Sequence, residues 1–372
     1  MALKIPQNNK WTQNNRSDIF GSLWSSWNID LSTKLGKLLG SPRGIITTND
    51  IANLGVAVGF VRFNSSGSNF WTPAGAVVFK TGTANPEDNF EQDGQAGTPV
   101  ACDSDLTDII LFKKGNKLVV TTATDIYYNS GAGSWNDVTG TALTDNTVHM
   151  MTEYGVLLYV TDLHKKIYSL DTSMAITVSG ANTFDLGTLD SNNIGLIISK
   201  ILGASDRIWI FTINTLAGGQ FSRTLTWDGA TANDPTAEYL HNHSGVVSAI
   251  LINDTPWVMT VDAYLEVFNG GTFAKVPNGR LPSKSSRYLK NSISSLNDRW
   301  IHPNGMTLTE DGKINILINN EYDDGTIEEN MPSGVWEFDP NDTDRGWYHK
   351  SPLTLIVDGA ISDYGQNRVS RV

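Results

Sequence analysis

The chain has 372 residues and a formal net charge of −12. That charge disfavours binding to nucleic acid or to anionic membranes, because both depend on clustered Lys and Arg. The single cysteine, Cys102, excludes an intramolecular disulfide and a zinc site with two cysteine ligands. No apolar run reaches the length of a membrane span, and the residues after Met1 lack the apolar stretch of a secretory signal.

The first 44 residues differ in composition from the rest of the chain. They are rich in Asn, Ser and Gly and they carry three tryptophans. Tryptophan is costly to leave in water, so we interpret residues 1–44 as an extended arm that docks on the body or on a neighbouring subunit. The side chains expected to make this contact are Trp11, Trp24, Trp27 and Leu31.

The remainder, residues 45–372, is predicted to be all-β. Short β-branched or aromatic runs alternate there with turns of Gly, Asn and Asp, and no helical apolar period persists. The clearest predicted strands are Ile109–Lys113, Lys117–Thr122, Ile126–Asn129, Leu157–Thr161, Arg207–Ile213, Trp257–Val261 and Ile314–Asn319.

One short pattern recurs along this body: an aromatic residue followed within a few positions by a turn rich in Asp, Asn and Gly. The aromatic residues of its copies are Phe79, Tyr128, Tyr168, Trp227, Phe268 and Phe338, spaced 40 to 70 residues apart. Propeller blades of four strands run about 40–50 residues, so the pattern predicts a β-propeller of about six blades, with seven as the alternative. A stacked β-sandwich is the rival fold.

The propeller prediction carries two further expectations. The longer intervals between copies require insertions, and residues 277–300, rich in Pro and Ser, are one candidate. Ring closure usually joins strands from the two ends of the chain in one blade. The strand-like segments Val56–Phe63 and Leu353–Asp358 are the candidates for that closure.

Histidine offers one candidate metal site. His241 and His243 lie two residues apart, on one side of a strand, with Glu238 or Asp234 as the nearest acids. The same segment fits a solvated loop after Pro235, and this second interpretation is the one we favour. The six histidines are His149, His164, His241, His243, His302 and His349.

Carboxylate clusters are the other candidates for chemistry. Asp103–Asp108 and Asp339–Asp344 resemble fragments of a calcium loop, but neither has the full ligand pattern, and as turns they need no ion. Asp323–Asp324 and Glu328–Glu329 flank a hairpin tip and are interpreted as a charged loop rather than a glycosidase pair. The chain also lacks the Gly-x-Ser-x-Gly elbow of an α/β-hydrolase. We therefore expect no catalytic residue, no metal ligand and no cofactor.

Aromatic residues are predicted to pack between blades rather than to bind ligands. The segments Ser65–Trp71 and Ser130–Trp135 loosely resemble the Asp-box turns of sialidase-type propellers, but both lack the Asp, so they indicate blade geometry only. The tryptophans at strand-like positions are Trp135, Trp209, Trp227, Trp257, Trp336 and Trp347.

The opening of the chain is similar to that of propeller-bearing tail proteins of tailed bacteriophages, including the nozzle class of short-tailed phages. The resemblance rests on Trp27–Ser32, Gly36–Lys37 and Ser41–Arg43, followed by the Asn- and Thr-rich β body. It implies a virion protein without catalysis, made in the host cytoplasm, which forms a homo-oligomer and docks on other tail proteins. The alternatives are a propeller that binds or cleaves glycans at a cell surface, and a bacterial scaffold propeller.

Overall fold

The computed structural model describes residues 108–352 apart from 123, 131–134, 139–142, 145–148, 190–194, 217–220, 244, 282–300, 302, 310 and 319–333. It also describes the backbone of strands at 29–30, 39–40, 61–65, 68–74, 77–81 and 90–92. Within this part of the chain, no helix has the length and apolar character that crossing a bilayer requires.

The described strands form six antiparallel sheets of four or five strands and one two-stranded pair, β1 (Ile29–Asp30) with β2 (Leu39–Gly40). Each larger sheet is built from strands that follow one another in the chain. Sheet 1 contains β3 (Val61–Ser65), β4 (Ser68–Ala74), β5 (Val77–Thr81) and β6 (Phe90–Gln92). Sheet 2 contains β7 (Asp108–Phe112), β8 (Lys117–Thr121), β9 (Ile126–Asn129) and β10 (Trp135–Asp137). Sheet 3 contains β11 (Met151–Tyr154), β12 (Leu157–Asp162), β13 (Lys166–Leu170), β14 (Ile176–Thr177) and β15 (Phe184–Asp185), and a short helix, α1 (Leu186–Leu189), follows it.

Three more sheets complete the described body. Sheet 4 contains β16 (Leu196–Gly203), β17 (Ile208–Asn214), β18 (Ser222–Trp227) and β19 (Pro235–His241). Sheet 5 contains β20 (Val246–Ile252), β21 (Thr255–Thr260), β22 (Tyr264–Phe268) and β23 (Phe273–Arg280). Sheet 6 contains β24 (Met306–Leu308), β25 (Ile314–Ile318), β26 (Gly334–Phe338) and β27 (Tyr348–Pro352), with a 3-10 turn at Thr343–Arg345.

The first strands of successive sheets lie side by side, in the order β3, β7, β11, β16, β20 and β24. The fourth strand of a sheet faces outward: in β19 half-buried residues alternate with exposed ones along most of the strand. Sheets that meet along their first strands and expose their last strands are radial blades. The fold is a β-propeller.

Apolar side chains fill the spaces between neighbouring blades. Along β12, Leu158 and Val160 belong to the core between sheets 2 and 3. Tyr159, which points the other way, belongs to the core between sheets 3 and 4. Both faces of a blade are therefore apolar, and burial of a side chain of this size contributes about 1.5–3 kcal/mol. Such a blade is stable only between two others.

The recurring aromatic pattern marks the third strand of every sheet. Its aromatic residue is the last residue of that strand in three sheets and lies one or two residues before the end in the other three. The turn itself is stabilised by a side-chain oxygen that accepts backbone N–H groups. The Oδ1 atom of Asp228 accepts from Ala230 and Thr231, each at 2.8 Å, and Oδ1 of Asn269 accepts from Thr272 at 2.9 Å. The same physical need explains the repeat in these blades.

The all-β prediction is confirmed, and all seven clearest predicted strands are present with their ends within two residues of the prediction. Four strands per blade holds for five of the six sheets, while sheet 3 carries a fifth strand because β15 also pairs with β13. The predicted insertion at 277–300 is wrong at its start, because β23 continues to Arg280, and residues 282–300 lie outside the described part of the chain.

Several predicted features fall outside the described residues. They include the arm residues Trp11, Trp24, Trp27 and Leu31 and the closing segment Leu353–Asp358. Within the predicted arm, the pair β1 and β2 is described, and β1 lies beside β27 of sheet 6.

Candidate functional site

Two groups of buried polar side chains stand out in the described body. The axial cluster consists of Asp108, Lys200 and Asn304, at the centre of the propeller. The His–Glu cluster consists of His241, His243 and Glu266, between sheets 4 and 5. Members of both groups expose 8% of their surface or less, so their charges and hydrogen bonds matter energetically.

The axial cluster joins three blades. Asp108 lies on β7, Lys200 on β16, and Asn304 just before β24. The Asn304 amide donates from Nδ2 to Asp108 Oδ1 at 2.7 Å, and its Oδ1 accepts from Lys200 Nζ. The register of β16 shifts between Ile198 and Lys200, and a bulge of this kind re-aims the following side chain.

The carboxylate of Asp108 is held by donors on both oxygens. In addition to Asn304, its Oδ1 accepts from the backbone N–H of Ile109 at 2.8 Å, and its Oδ2 accepts from Met151 at 2.9 Å. A carboxylate whose oxygens are occupied in this way acts as a structural hydrogen-bond acceptor within the protein. Asp108 therefore does not belong to a calcium loop, because it lies on a strand and its oxygens are used within the protein.

Further hydrogen bonds link the first strands of neighbouring blades. Ser199 Oγ donates to the carbonyl of Val246 at 2.7 Å, which connects sheet 4 to sheet 5. Ser248 Oγ donates to the carbonyl of Pro303 at 2.8 Å, in the segment that leads into sheet 6. Together with the axial cluster, these bonds stiffen the centre of the propeller.

The His–Glu cluster gathers residues that are separate in sequence. His241 ends β19, His243 follows in the connection to sheet 5, and Glu266 lies in the middle of β22. His243 Nε2 lies 3.3 Å from Glu266 Oε2, and His241 Nδ1 lies 3.9 Å from the same oxygen. The two imidazole rings are 4.7 Å apart between centroids.

Hydrogen bonds orient both imidazoles. His241 Nε2 lies 2.7 Å from Thr224 Oγ1, so the Nδ1 atom faces Glu266. His243 Nδ1 accepts from the backbone N–H of Gly245 at 3.2 Å, which leaves Nε2 to face the same carboxylate. Burial, and then the neighbouring His243, lower the pKa of His241 to about 3, so this ring is neutral near pH 7.

The sequence predicts two members of this cluster, His241 and His243, but not the third. The solvated-loop interpretation of His241 and His243 is wrong, because the two residues expose only 4% and 8% of their surface. Glu238 faces outward and pairs with Arg223 at 2.7 Å, while Asp234 is exposed. The acid that reaches the histidines is Glu266. The sequence feature that indicates it is a single glutamate inside the apolar strand Tyr264–Phe268.

An aromatic cluster borders the His–Glu cluster between sheets 4 and 5. The Phe273 ring lies 4.9 Å from His241, and the Trp209 ring packs against Phe268 at 5.0 Å. Inter-blade packing is confirmed for the four predicted tryptophans that are buried, namely Trp209, Trp227, Trp336 and Trp347. Trp135 and Trp257 are only partly buried.

The other predicted candidates do not form a site in the described residues. Around Asp339–Asp344 the side chains stabilise a turn, in which Asp339 Oδ1 accepts from Asn341 N at 2.9 Å. His149 is buried, and its Nδ1 lies 2.7 Å from the Thr161 carbonyl. Cys102, His302, Asp323–Asp324 and Glu328–Glu329 fall outside the described residues.

Comparisons with known proteins identify the fold and no family. No protein-family model and no curated protein matches the chain. Among solved structures, it is similar to the extracellular domain of the BT4673 protein from B. thetaiotaomicron, whose name describes a hybrid two component system. The TM-score is 0.51 at 16% identity, over 80% of this chain but 33% of that one, so the chain spans a third of that structure's length.

The WD40 repeats of RRP9 are similar over most of both chains. The TM-score is 0.50 at 10% identity, and the match covers 81% of this chain and 82% of RRP9. At these identities the likeness shows a propeller fold and carries nothing about activity or partners.

Proposed function

We propose that this chain is a non-enzymatic structural protein of a bacteriophage tail, which forms a homo-oligomer and docks on other tail proteins in the virion. The proposal includes the blade count: the six sheets are the complete set of blades. Synthesis takes place in the host cytoplasm, before assembly.

The observation that carries the proposal is the axial cluster. Asp108, Lys200 and Asn304 come from three blades and meet in the buried centre. Many ligand sites lie in an open cavity lined by a few convergent polar groups. Here the central polar groups are instead bonded to one another, and they tie the blades together. A stiff disc with a broad rim suits a protein that transmits load and binds neighbours through its surface.

The resemblance of the opening residues to tail proteins supports the second part of the proposal. In that arrangement β1 lies beside β27 of its own chain, while Trp11, Trp24, Trp27 and Leu31 supply an apolar contact with a neighbouring subunit. Tryptophan is enriched among the residues that dominate protein–protein binding.

Deletion of residues 1–40 tests the assembly role. We expect the shortened chain to keep the far-ultraviolet spectrum of a β protein and a cooperative melt, but to lose self-association. Light scattering after size-exclusion chromatography measures the mass of both forms. If the shortened chain unfolds, the arm belongs to the core. If it assembles as the full chain does, the arm is not the contact.

A second measurement separates the scaffold from the glycan alternative. The full-length protein is applied to an array of bacterial surface glycans and assayed for release of reducing sugar. The proposal predicts that no sugar is released, whereas glycan-dependent turnover would contradict the non-enzymatic role. Binding without turnover would place the protein at the host-facing end of the tail.

A further inference from the structure

The His–Glu cluster has the composition of a metal site. It combines two imidazoles with one carboxylate, and their nearest ligand atoms all lie within 4.8 Å of one another. His241, His243 and Glu266 are all buried. His241 ends β19 of sheet 4, His243 lies in the connection to sheet 5, and Glu266 lies on β22 of sheet 5.

We propose that His241, His243 and Glu266 bind a divalent transition-metal ion, with Zn²⁺ as the best fit. Zinc takes nitrogen ligands at about 2.0–2.1 Å and carboxylate oxygen at about 2.0–2.2 Å, in tetrahedral geometry. Those bond lengths place neighbouring ligand atoms about 3.3–3.5 Å apart. The His243–Glu266 separation of 3.3 Å already fits, and the His241–Glu266 separation of 3.9 Å needs a small closure.

The ligand set also selects the class of ion. Ca²⁺ and Mg²⁺ prefer shells of oxygen, whereas imidazole suits zinc and its transition-metal neighbours. This part of the chain offers no cysteine, because the single Cys102 lies elsewhere in the sequence. With three protein ligands, the fourth position falls to a water molecule.

Thr224 supports the site from its outer shell. Its Oγ1 atom lies 2.7 Å from His241 Nε2, and it is fully buried on β18. A proton on Nε2, donated to this oxygen, leaves the Nδ1 lone pair directed towards Glu266. Metal-bound histidines commonly hold their second nitrogen in this way, and loss of such a partner weakens metal affinity about 10–100-fold.

Besides the closure between His241 and Glu266, binding requires a proton shift at His243. Its Nδ1 accepts from Gly245 N at 3.2 Å, so the proton lies on Nε2 and points to Glu266. Ligation through Nε2 moves that proton to Nδ1 and opens the contact with Gly245. The contact is long for an N–H donor, so its loss is a small barrier.

The ion would act as a clamp between two blades. An ion that binds only the folded chain shifts the folding equilibrium towards it. Because the ligands span sheets 4 and 5, occupation resists their separation. This role is independent of whether the chain belongs to a phage tail.

The test uses untagged full-length protein, treated with EDTA and dialysed. Isothermal titration with ZnCl₂ is expected to show one ion per chain, and the melting midpoint is expected to rise by several degrees. Co²⁺ added in place of zinc is expected to give the visible absorption of a four-coordinate site. If wild-type protein that is correctly folded binds no ion, the proposal is wrong.

Variants locate the ion. Glu266→Gln keeps the size of the side chain and removes the anionic ligand, so affinity is expected to fall by more than the outer-shell effect of about 10–100-fold. Glu238→Gln is the matched control, because Glu238 is exposed on β19 three residues from His241. Thr224→Val is expected to weaken binding about 10–100-fold. Equal affinity in the wild type and Glu266→Gln would overturn the assignment, and the Co²⁺ spectrum of the wild type decides the matter if that variant fails to fold.

Discussion

Removal of the Asn304 side chain is the sharpest perturbation of the propeller centre. The Asn304→Ala variant loses the bond from Nδ2 to Asp108 Oδ1 at 2.7 Å and the bond that Lys200 Nζ donates to Oδ1. Both partners are charged side chains that expose 3% of their surface or less. A hydrogen bond to a charged group contributes about 1.5–3 kcal/mol, so the two together amount to about 3–6 kcal/mol.

Urea unfolding, followed by circular dichroism, measures this loss. Asn242→Ala is the control, because Asn242 is an exposed asparagine in the described body, and its substitution is expected to change stability by no more than about 0.5 kcal/mol. Lys200→Met provides a second variant that removes only one of the two bonds. If Asn304→Ala lowers the free energy of unfolding by less than about 1 kcal/mol, the axial cluster does not hold the blades together.

Two further predictions concern backbone packing and pH. Gly245→Ala is expected to lower the free energy of unfolding in urea by about 1–3 kcal/mol, because a Cβ there would lie 2.5 Å from Ile213 Cγ1. Gly271→Ala is the control and should have little effect, because no atom lies within 4 Å of the Cβ that it adds. Equal losses in the two variants would contradict this prediction. Burial raises the pKa of Tyr168 to about 12, so the unfolded chain ionises first and stability should fall as the pH rises from about 10 to 12. Tyr168→Phe should remove part of that fall, and an unchanged pH profile would show that Tyr168 is not its source.

The fold was predictable because each blade repeats the same local chemistry. The third strand of each blade carries an aromatic residue at or near its end, and the turn that follows is stabilised by an Asp or Asn oxygen that accepts backbone N–H groups, as after Trp227 and Phe268. Trp227 with Asp228, and Phe268 with Asn269, meet both needs within two residues. A pattern that is complete within a few positions is visible in one sequence. The extra strand β15 carries no recurring pattern of this kind, so the sequence does not predict it.

The buried clusters could be predicted only in part, because their members meet through blade stacking. His241 and His243 lie two residues apart, so the sequence indicates them as a pair. Glu266 lies on another blade, and no local pattern connects it with them. Similarly, nothing in the sequence connects Asp108 with Asn304, which are 196 residues apart. Asp108 looked like a turn residue among other acids, but the apolar run after it starts a first strand. Long-range side-chain partners follow from the geometry of the ring, which a local pattern does not contain.

The central claim is that this propeller is a structural component of a phage tail. The proposal predicts that a tailed phage encodes the chain. The most direct measurement is therefore a cryo-electron microscopy reconstruction of purified particles of that phage, with mass spectrometry of the same particles. We expect the chain to be present as a ring of copies in the tail, each copy a six-bladed propeller, with residues 1–44 at a neighbouring subunit. Particles that are complete and infectious without the chain would contradict the claim.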